Sequence, residues 1–227
     1  MRNNLYICNA NPQTKTTLIS PISGSNFGTH YNMSKSQHNI ICLEAEWQFR
    51  NDKRNTFCLN TEPLLHWLKE FHGCNVIYRH IVTKEDLVYY LHYFSTHKRE
   101  TKDYDIVYIA CHGWHHAISL EGKEGFIDLS ELAEMSNGLF NNRIVHFGSC
   151  KTMANIPEAE NFKAITGAKL VSGYQISVDP MTSAIADAAY FNEIMQYQNV
   201  GTLKNKDFSK FWSRYESLLN ELKFSIV

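Results

Sequence analysis

Hydrophobic residues along the chain alternate between short apolar runs and longer segments with helical spacing. The apolar runs predict five buried strands, Ile40–Trp47, Asn75–Ile81, Asp105–Ala110, Arg143–Phe147 and Lys169–Tyr174. The segments with helical spacing predict helices at Thr61–Phe71, after the capping box Thr83-x-x-Asp86, and at Ser130–Met135, Pro157–Thr166 and Pro180–Gln196. This alternation predicts a three-layer α/β fold, with a mostly parallel sheet and helices on both of its faces.

The two ends of the chain have different patterns. Residues 9–39 are rich in Asn, Ser, Thr and Gly and have no period, so residues 1–38 are predicted to be an irregular extension with a short edge strand at Leu5–Cys8. Residues 39–227 are predicted to be one domain, which ends in a helix with Phe208, Phe211 and Leu222 on its apolar face.

Composition excludes several classes of protein. The chain has 22 Lys and Arg against 23 Asp and Glu, so it lacks the basic footprint of a nucleic-acid-binding protein. The apolar runs are far shorter than the roughly 20 residues that cross a bilayer, and no secretory signal is visible, so no membrane partner is predicted. The six cysteines show no paired spacing and indicate reduced thiols in a cytoplasm. No Gly-rich phosphate loop is present, and no cofactor is predicted.

Two predicted strands end in reactive residues. Cys111, His112 and Gly113 follow one strand, and Cys150 follows another. The carboxyl ends of adjacent parallel strands meet at one edge of a sheet, so His112 and Cys150 are expected to lie together. An imidazole favours the reactive thiolate and can protonate a leaving amine. The backbone N–H groups of Gly113 and Cys150 could form an oxyanion hole.

The segments Ile106–Gly113 and Arg143–Cys150, in this order, resemble the caspase-like (clan CD) cysteine peptidases, in particular bacterial stand-alone caspase-like domains. The resemblance spans roughly residues 39–200 and implies a caspase-like sheet with a β-hairpin within Ile118–Leu129. It implies a thiol protease that cleaves protein substrates through a Cys/His dyad, with Cys150 as nucleophile and His112 as general acid/base. Metacaspases and paracaspases carry an acid two places before the cysteine, whereas this chain has Gly148.

The resemblance also suggests how such a protein works in the cell. Stand-alone domains of this group resemble proteolytic effectors of bacterial defence, antiviral or cell-suicide systems. These effectors are held inactive until a small-molecule signal, a protein partner or self-association into a homodimer activates them. The main alternative is a catalytically silent module that binds a signal molecule or a protein partner. A third is another thiol hydrolase or transferase.

Four residues are candidates for substrate binding. Glu44 and Glu46 end the first strand at the same edge as the dyad, and one of them is expected to be a groove residue or a structural hydrogen-bonding group. Trp114 could form a wall of the groove, and Asp179 is first of all a helix N-cap. Acids near the groove favour a basic or non-acidic residue before the cleaved bond.

Two histidine patterns have other interpretations. Cys111, His112, His115 and His116 carry zinc-binding side chains, but adjacent residues at a strand end point to opposite faces, so no metal site is predicted. His146 lies inside a predicted strand and is expected to be a core histidine with satisfied hydrogen bonds.

Overall fold

The structure is a computed structural model that describes residues 36–46, 60–121, 125–197, 200–205 and 210–227. The strands are β1 Ile40–Glu44, β2 Val76–His80, β3 Ile106–Ala110, β4 His112–Trp114, β5 Ala117–Ser119, β6 Phe126–Asp128, β7 Ile144–Phe147, β8 Leu170–Tyr174 and β9 Phe224–Ile226. The α-helices are α1 Glu62–His72, α2 Lys84–Thr96, α3 Lys98–Thr101, α4 Leu129–Met135, α5 Ile156–Thr166, α6 Pro180–Ile194, α7 Lys210–Arg214 and α8 Glu216–Glu221. A 3₁₀ helix covers Val200–Lys204.

Six strands form the main sheet in the order β2-β1-β3-β7-β8-β9. All of its neighbouring strands are parallel except β8 and β9, which are antiparallel. A second sheet, β4-β5-β6, is antiparallel and includes the hairpin predicted within Ile118–Leu129. The predicted α/β fold with a mostly parallel sheet is therefore confirmed.

The side chains of the main sheet alternate between two hydrophobic clusters. In β1, Ile41 and Leu43 pack with residues of α2, α4 and α5, whereas Ile40 and Cys42 pack with residues of α1, α6, α7 and α8. Because successive side chains of a strand point to opposite faces, the two clusters lie on opposite faces of the sheet. The sheet is buried from both sides, which explains its near-continuous apolar strands.

The predicted terminal helix is only partly correct. The structure has two short helices, α7 and α8, and then the strand β9, which the sequence analysis did not predict. Phe211, Leu222 and Phe224 are buried in one cluster, so the apolar stripe is core at these positions. A three-residue strand is too short to show a period of two.

The predicted N-terminal extension, with its edge strand at Leu5–Cys8, lies outside the described residues except for its last three positions. Among these, Ser36 and His38 are buried and hydrogen-bonded to the domain. In the described part of the chain, no helix has the length and apolar character needed to span a membrane.

Candidate functional site

The ends of β3 and β7 lie side by side and in register. Ile106 pairs with Ile144, and the register continues beyond the strands, since Gly148 donates a hydrogen bond to the Ile109 carbonyl at 3.0 Å. The Cys111 thiol lies 3.4 Å from the Ser149 hydroxyl, again 38 positions apart. His112 and Cys150, the next residues of the two segments, are also 38 positions apart in the sequence. His112 is exposed and Cys150 is partly exposed, whereas Cys111 and Ser149 are buried.

Gly113 brings β4 against the turn that carries Cys150. A Cβ at this position would lie 2.3 Å from the Cys150 carbonyl oxygen and 2.6 Å from the Thr152 hydroxyl oxygen. No other residue allows so close an approach. The structure thus places the predicted neighbours Gly113 and Cys150 in direct backbone contact, with exposed His112 immediately before Gly113.

The hairpin geometry fixes the direction of the Gly113 amide. The turn between β4 and β5 consists of His115 and His116, both with positive φ, the pattern of a type I′ turn. In such a turn the flanking pair, Trp114 and Ala117, forms the closing hydrogen bonds. The next pair, which contains Gly113, does not bond across the hairpin, so the Gly113 N–H points away from β5. This direction suits an amide of an oxyanion hole.

The loop after β8 lies against Cys150. The Cys150 Sγ accepts a hydrogen bond from the Val178 N–H at 3.3 Å and lies 3.7 Å from the Val178 carbonyl oxygen. The Lys151 N–H also donates to the Ile176 carbonyl at 3.0 Å. Two segments therefore frame the thiol, the turn after β7 and the loop of residues 175–179.

Cys150 differs in exposure from the other described cysteines. Cys42, Cys74 and Cys111 are buried, whereas Cys150 is partly exposed. Burial raises the pKa of Cys111 to about 12, although the Ser149 hydrogen bond opposes this shift, and burial raises the pKa of Cys74 to about 11. A buried thiol with a high pKa is a poor nucleophile, so Cys111 does not replace Cys150 in the site. Cys8 and Cys58 lie outside the described residues.

Comparison with known proteins identifies the family of the chain. A family of unknown function, DUF6642, matches residues 37–226. The chain belongs to this family. No curated protein matches it.

One solved structure with weak similarity to this DUF6642 chain is a carbon-sulfur lyase involved in aluminum resistance from Clostridium novyi NT. It is 10% identical, with a TM-score of 0.32, over 74% of this chain and 40% of the lyase. The chain therefore spans less than half of that protein, and a similarity this weak indicates neither fold nor activity.

The two predicted acids of β1 have different surroundings in this DUF6642 chain. Glu44 is 1% exposed, and its carboxylate accepts hydrogen bonds from the Thr61 N–H at 2.8 Å and the Thr61 hydroxyl at 2.9 Å. Of the two predicted roles, groove residue or structural hydrogen-bonding group, Glu44 has the structural one. Its carboxylate is not available to a substrate. Glu46 is half-buried, and the register that pairs Glu44 with Ala110 brings Glu46 level with His112. Of these two acids, only Glu46 remains a candidate for substrate binding.

Trp114 and Asp179 belong to segments that contact the turn of Cys150. Trp114 is 48% exposed, and the Lys151 ammonium lies 4.1 Å from the centre of its ring. Asp179 is exposed, follows Val178 directly, and caps α6 by accepting hydrogen bonds from the Met181 and Thr182 amides, both at 3.0 Å. The hydrogen bond from the Thr182 amide is the main cause that lowers the pKa of Asp179. Asp179 is therefore an N-cap, as predicted, and its exposed side chain belongs to the residue after Val178, whose backbone contacts the thiol.

Sequence analysis missed a buried polar cluster below the site. Asp187, on α6, lies 2.8 Å from His146 Nε2 and accepts hydrogen bonds from the hydroxyls of Tyr108, at 2.7 Å, and Tyr174. His146 is fully buried and also lies 2.9 Å from the Ser172 hydroxyl, so the prediction of a satisfied core histidine is confirmed. A lone acid in the apolar stretch of α6 was the available signal for Asp187.

The same cluster explains Gly148. A Cβ at Gly148 would lie 2.8 Å from the Tyr108 hydroxyl oxygen and 2.8 Å from a carbon of its ring. Tyr108 therefore fills the space that a side chain at position 148 would need. The glycine at this position follows from packing.

Proposed function

We propose that this chain is a cysteine endopeptidase of the caspase-like kind, which cleaves protein substrates with Cys150 as nucleophile and His112 as general acid/base. The observation that carries the proposal is the shared register of β3 and β7, which leaves His112 and Cys150 at matching positions with the Gly113 backbone against Cys150. The hairpin that follows His112 and the mostly parallel sheet support the resemblance to that family.

In the first half of the reaction, His112 takes the proton of the Cys150 thiol, and the thiolate attacks the carbonyl carbon of the peptide bond. The resulting oxyanion accepts hydrogen bonds from the Gly113 and Cys150 amides. His112 then gives the proton to the leaving amine, the carbon–nitrogen bond breaks, and a thioester remains on Cys150.

In the second half, His112 takes a proton from water, and the hydroxide attacks the thioester carbon. The carbon–sulfur bond breaks, the carboxylic acid product leaves, and Cys150 regains its proton from His112. No oxidant, metal or cofactor is needed to balance these steps.

We propose further that the enzyme is controlled by a signal. The Val178 amide is hydrogen-bonded to the same sulfur that attacks the substrate, so a shift of the loop of residues 175–179 would release the thiol and raise the rate of attack. A small-molecule signal, a protein partner or homodimer formation could cause this shift. Such control suits an effector of a bacterial defence system, and the free cysteines of the described residues suit a reducing cytoplasm.

The proposed substrate preference before the cleaved bond rests on Asp179, the exposed acid that follows Val178 in the loop next to the thiol. Asp179 favours a basic or non-acidic residue there through a charge-assisted hydrogen bond. A fluorogenic substrate panel tests this part of the proposal, and efficient cleavage after Asp would contradict it.

A proteome-wide cleavage profile tests the activity itself. Lysate treated with the wild-type chain should contain new peptide termini that are absent with Cys150→Ala and present with the matched control Cys111→Ala. Identical profiles for wild type and Cys150→Ala would favour the catalytically silent alternative.

A further inference from the structure

The three-stranded sheet β4-β5-β6 has one buried and one exposed face. Gly113, Ile118 and Ile127 share a row of the pairing, and the two isoleucines are buried in the core. The neighbouring row contains His112, Ser119 and Phe126, one residue from each strand. His112 and Phe126 are exposed, so this row faces outward and carries the proposed general acid/base.

Two exposed aromatic rings flank His112 on this outer face. Phe126 is 58% exposed and Trp114 is 48% exposed. Strand geometry separates His112 from Phe126 by about 10 Å, across two strand spacings, and from Trp114 by about 7 Å along β4. These distances leave room for one large side chain between the rings.

The turn that carries Cys150 fixes one side of this surface. Lys151 lies with its ammonium 4.1 Å from the centre of the Trp114 ring, a cation–π distance, and the His116 N–H donates to the Lys151 carbonyl at 3.0 Å. The aromatic surface is therefore continuous with the dyad. The nearest acid of the sheet, Asp128, is engaged as the cap of α4, because its carboxylate accepts from the Glu131 N–H at 2.8 Å.

The chemistry of the reaction decides which part of a substrate crosses this surface. A general acid must lie next to the leaving amine, so the residues after the cleaved bond extend over the side of the site that holds His112. We infer that the outer face formed by His112, Trp114 and Phe126 binds the residue directly after the cleaved bond, and that this residue is aromatic or large aliphatic. This inference rests on the proposed function.

Internally quenched peptides that differ only in the residue after the cleaved bond test it. The ratio kcat/KM should be about tenfold higher or more with Phe or Leu than with Gly or Asp at this position. Phe126→Ser should reduce this preference to less than about threefold, and Phe126→Leu should keep it. The matched control is Phe71→Ser, which removes an equally exposed phenylalanine, 64% exposed on α1, and should leave the preference unchanged. Equal preference in wild type and Phe126→Ser would overturn the inference.

Binding to Cys150→Ala separates this inference from the proposed activity. Fluorescence anisotropy of the same labelled peptides should show tighter binding with Phe or Leu than with Gly, and Phe126→Ser should remove that difference. If the wild type shows no Cys150-dependent cleavage even at high chain concentration and after long incubation, but this binding preference is found, the surface stands and the peptidase is refuted. If peptides are cleaved in a Cys150-dependent way without any preference after the bond, the surface is refuted and the peptidase stands.

Discussion

At the level of single residues, the Asp187 carboxylate holds three neighbouring strands together. Its partners Tyr108, His146 and Tyr174 belong to β3, β7 and β8, the strands whose ends frame Cys150. Because a carboxylate only accepts hydrogen bonds, the two hydroxyls and His146 Nε2 act as donors. Burial, and then the Asp187 charge, raise the pKa of Tyr108 well above its usual value, so its hydroxyl keeps the proton that it donates.

Replacement of this buried acceptor should strongly destabilise the folded state. Asp187→Asn replaces one of the two accepting oxygens with an NH2 group, so donor hydrogens face at least one of the three donors, and we expect the free energy of unfolding to fall by about 3 kcal/mol or more. The same substitution at the exposed cap of the same helix, Asp179→Asn, should change it by less than about 0.5 kcal/mol, since Asn is an equally good N-cap. Chemical denaturation measures both, and losses of similar size would refute the structural role of Asp187.

His38 gives the fold a pH dependence. Burial lowers the pKa of His38, but the hydrogen bond and charge of Asp105 and the Tyr197 carbonyl outweigh this effect, and the pKa is raised above 6.5. A raised pKa means that the folded state binds the proton more tightly, so this stabilisation is complete below about pH 6.5 and is lost as the pH rises through the folded-state pKa.

The free energy of unfolding should therefore decrease as the pH rises from about 6 to above the folded-state pKa of His38. His38→Asn should flatten this part of the pH profile, whereas His66→Asn, at an exposed helix position, should not. Denaturation at a series of pH values gives the two slopes. An unchanged slope in His38→Asn would show that the His38–Asp105 pair is not responsible.

Candidate site residues could be predicted from the sequence where their positions relative to the strands determine where they lie in the fold. His112 and Cys150 each follow an apolar run directly, so parallel pairing alone brings them to one edge. The partners of Asp187 lie 13, 41 and 79 positions away in the sequence, and no local pattern connects them. The burial of Glu44 was also not predictable, because it depends on Thr61, which faces β1 instead of capping α1 with its hydroxyl.

At the level of secondary structure, the β4–β5 turn uses two residues that are poorly suited to it. His115 and His116 have φ values of 38° and 55°, a region that Asn and Gly adopt more easily. The double variant His115→Asn/His116→Gly should therefore raise the free energy of unfolding by about 1 kcal/mol.

A matched helix position controls for the substitution to glycine. His66→Gly in α1 should instead lower the free energy of unfolding by about 0.5 to 1 kcal/mol. Chemical denaturation of both variants gives the comparison. If the turn variant is less stable than the wild type, contacts of the two histidines stabilise the folded state by more than the backbone strain destabilises it.

Elements with a strong local signal were predicted well, and β9 was not. The capping box of α2 is present as predicted, with both of its hydrogen bonds between Thr83 and Asp86. By contrast, β9 forms because β8 offers it an antiparallel partner, and its position depends on this long-range pairing. The apolar stripe before it identifies core residues but does not distinguish one helix from two helices and a strand.

At the level of the whole molecule, the main sheet determines where chemistry can occur. Parallel strands place His112, Cys150 and the loop of residues 175–179 at the carboxyl edge, the usual location of active sites in such sheets. The framing segments after β7 and β8 are hydrogen-bonded to each other through the Lys151 N–H and the Ile176 carbonyl. Under the proposed control, the contact that moves is the one between Val178 and the thiol.

The purified chain, dilute and without a signal, should consequently have low peptidase activity. We expect kcat below about 1 s⁻¹, the lower end of the usual range for enzymes, because the Val178 amide holds the nucleophile. Initial rates at nanomolar to micromolar chain concentration measure this, with Cys150→Ala as background. High turnover at the lowest concentration would exclude control by signal, partner or self-association.

Labelling with an electrophilic peptide, followed by mass spectrometry to locate the adduct, tests the proposed dyad most directly. The account predicts one adduct, on Cys150, formed at the same rate in Cys111→Ala and at least about 100-fold more slowly in His112→Ala. An adduct on another cysteine, or a labelling rate that does not depend on His112, would contradict it.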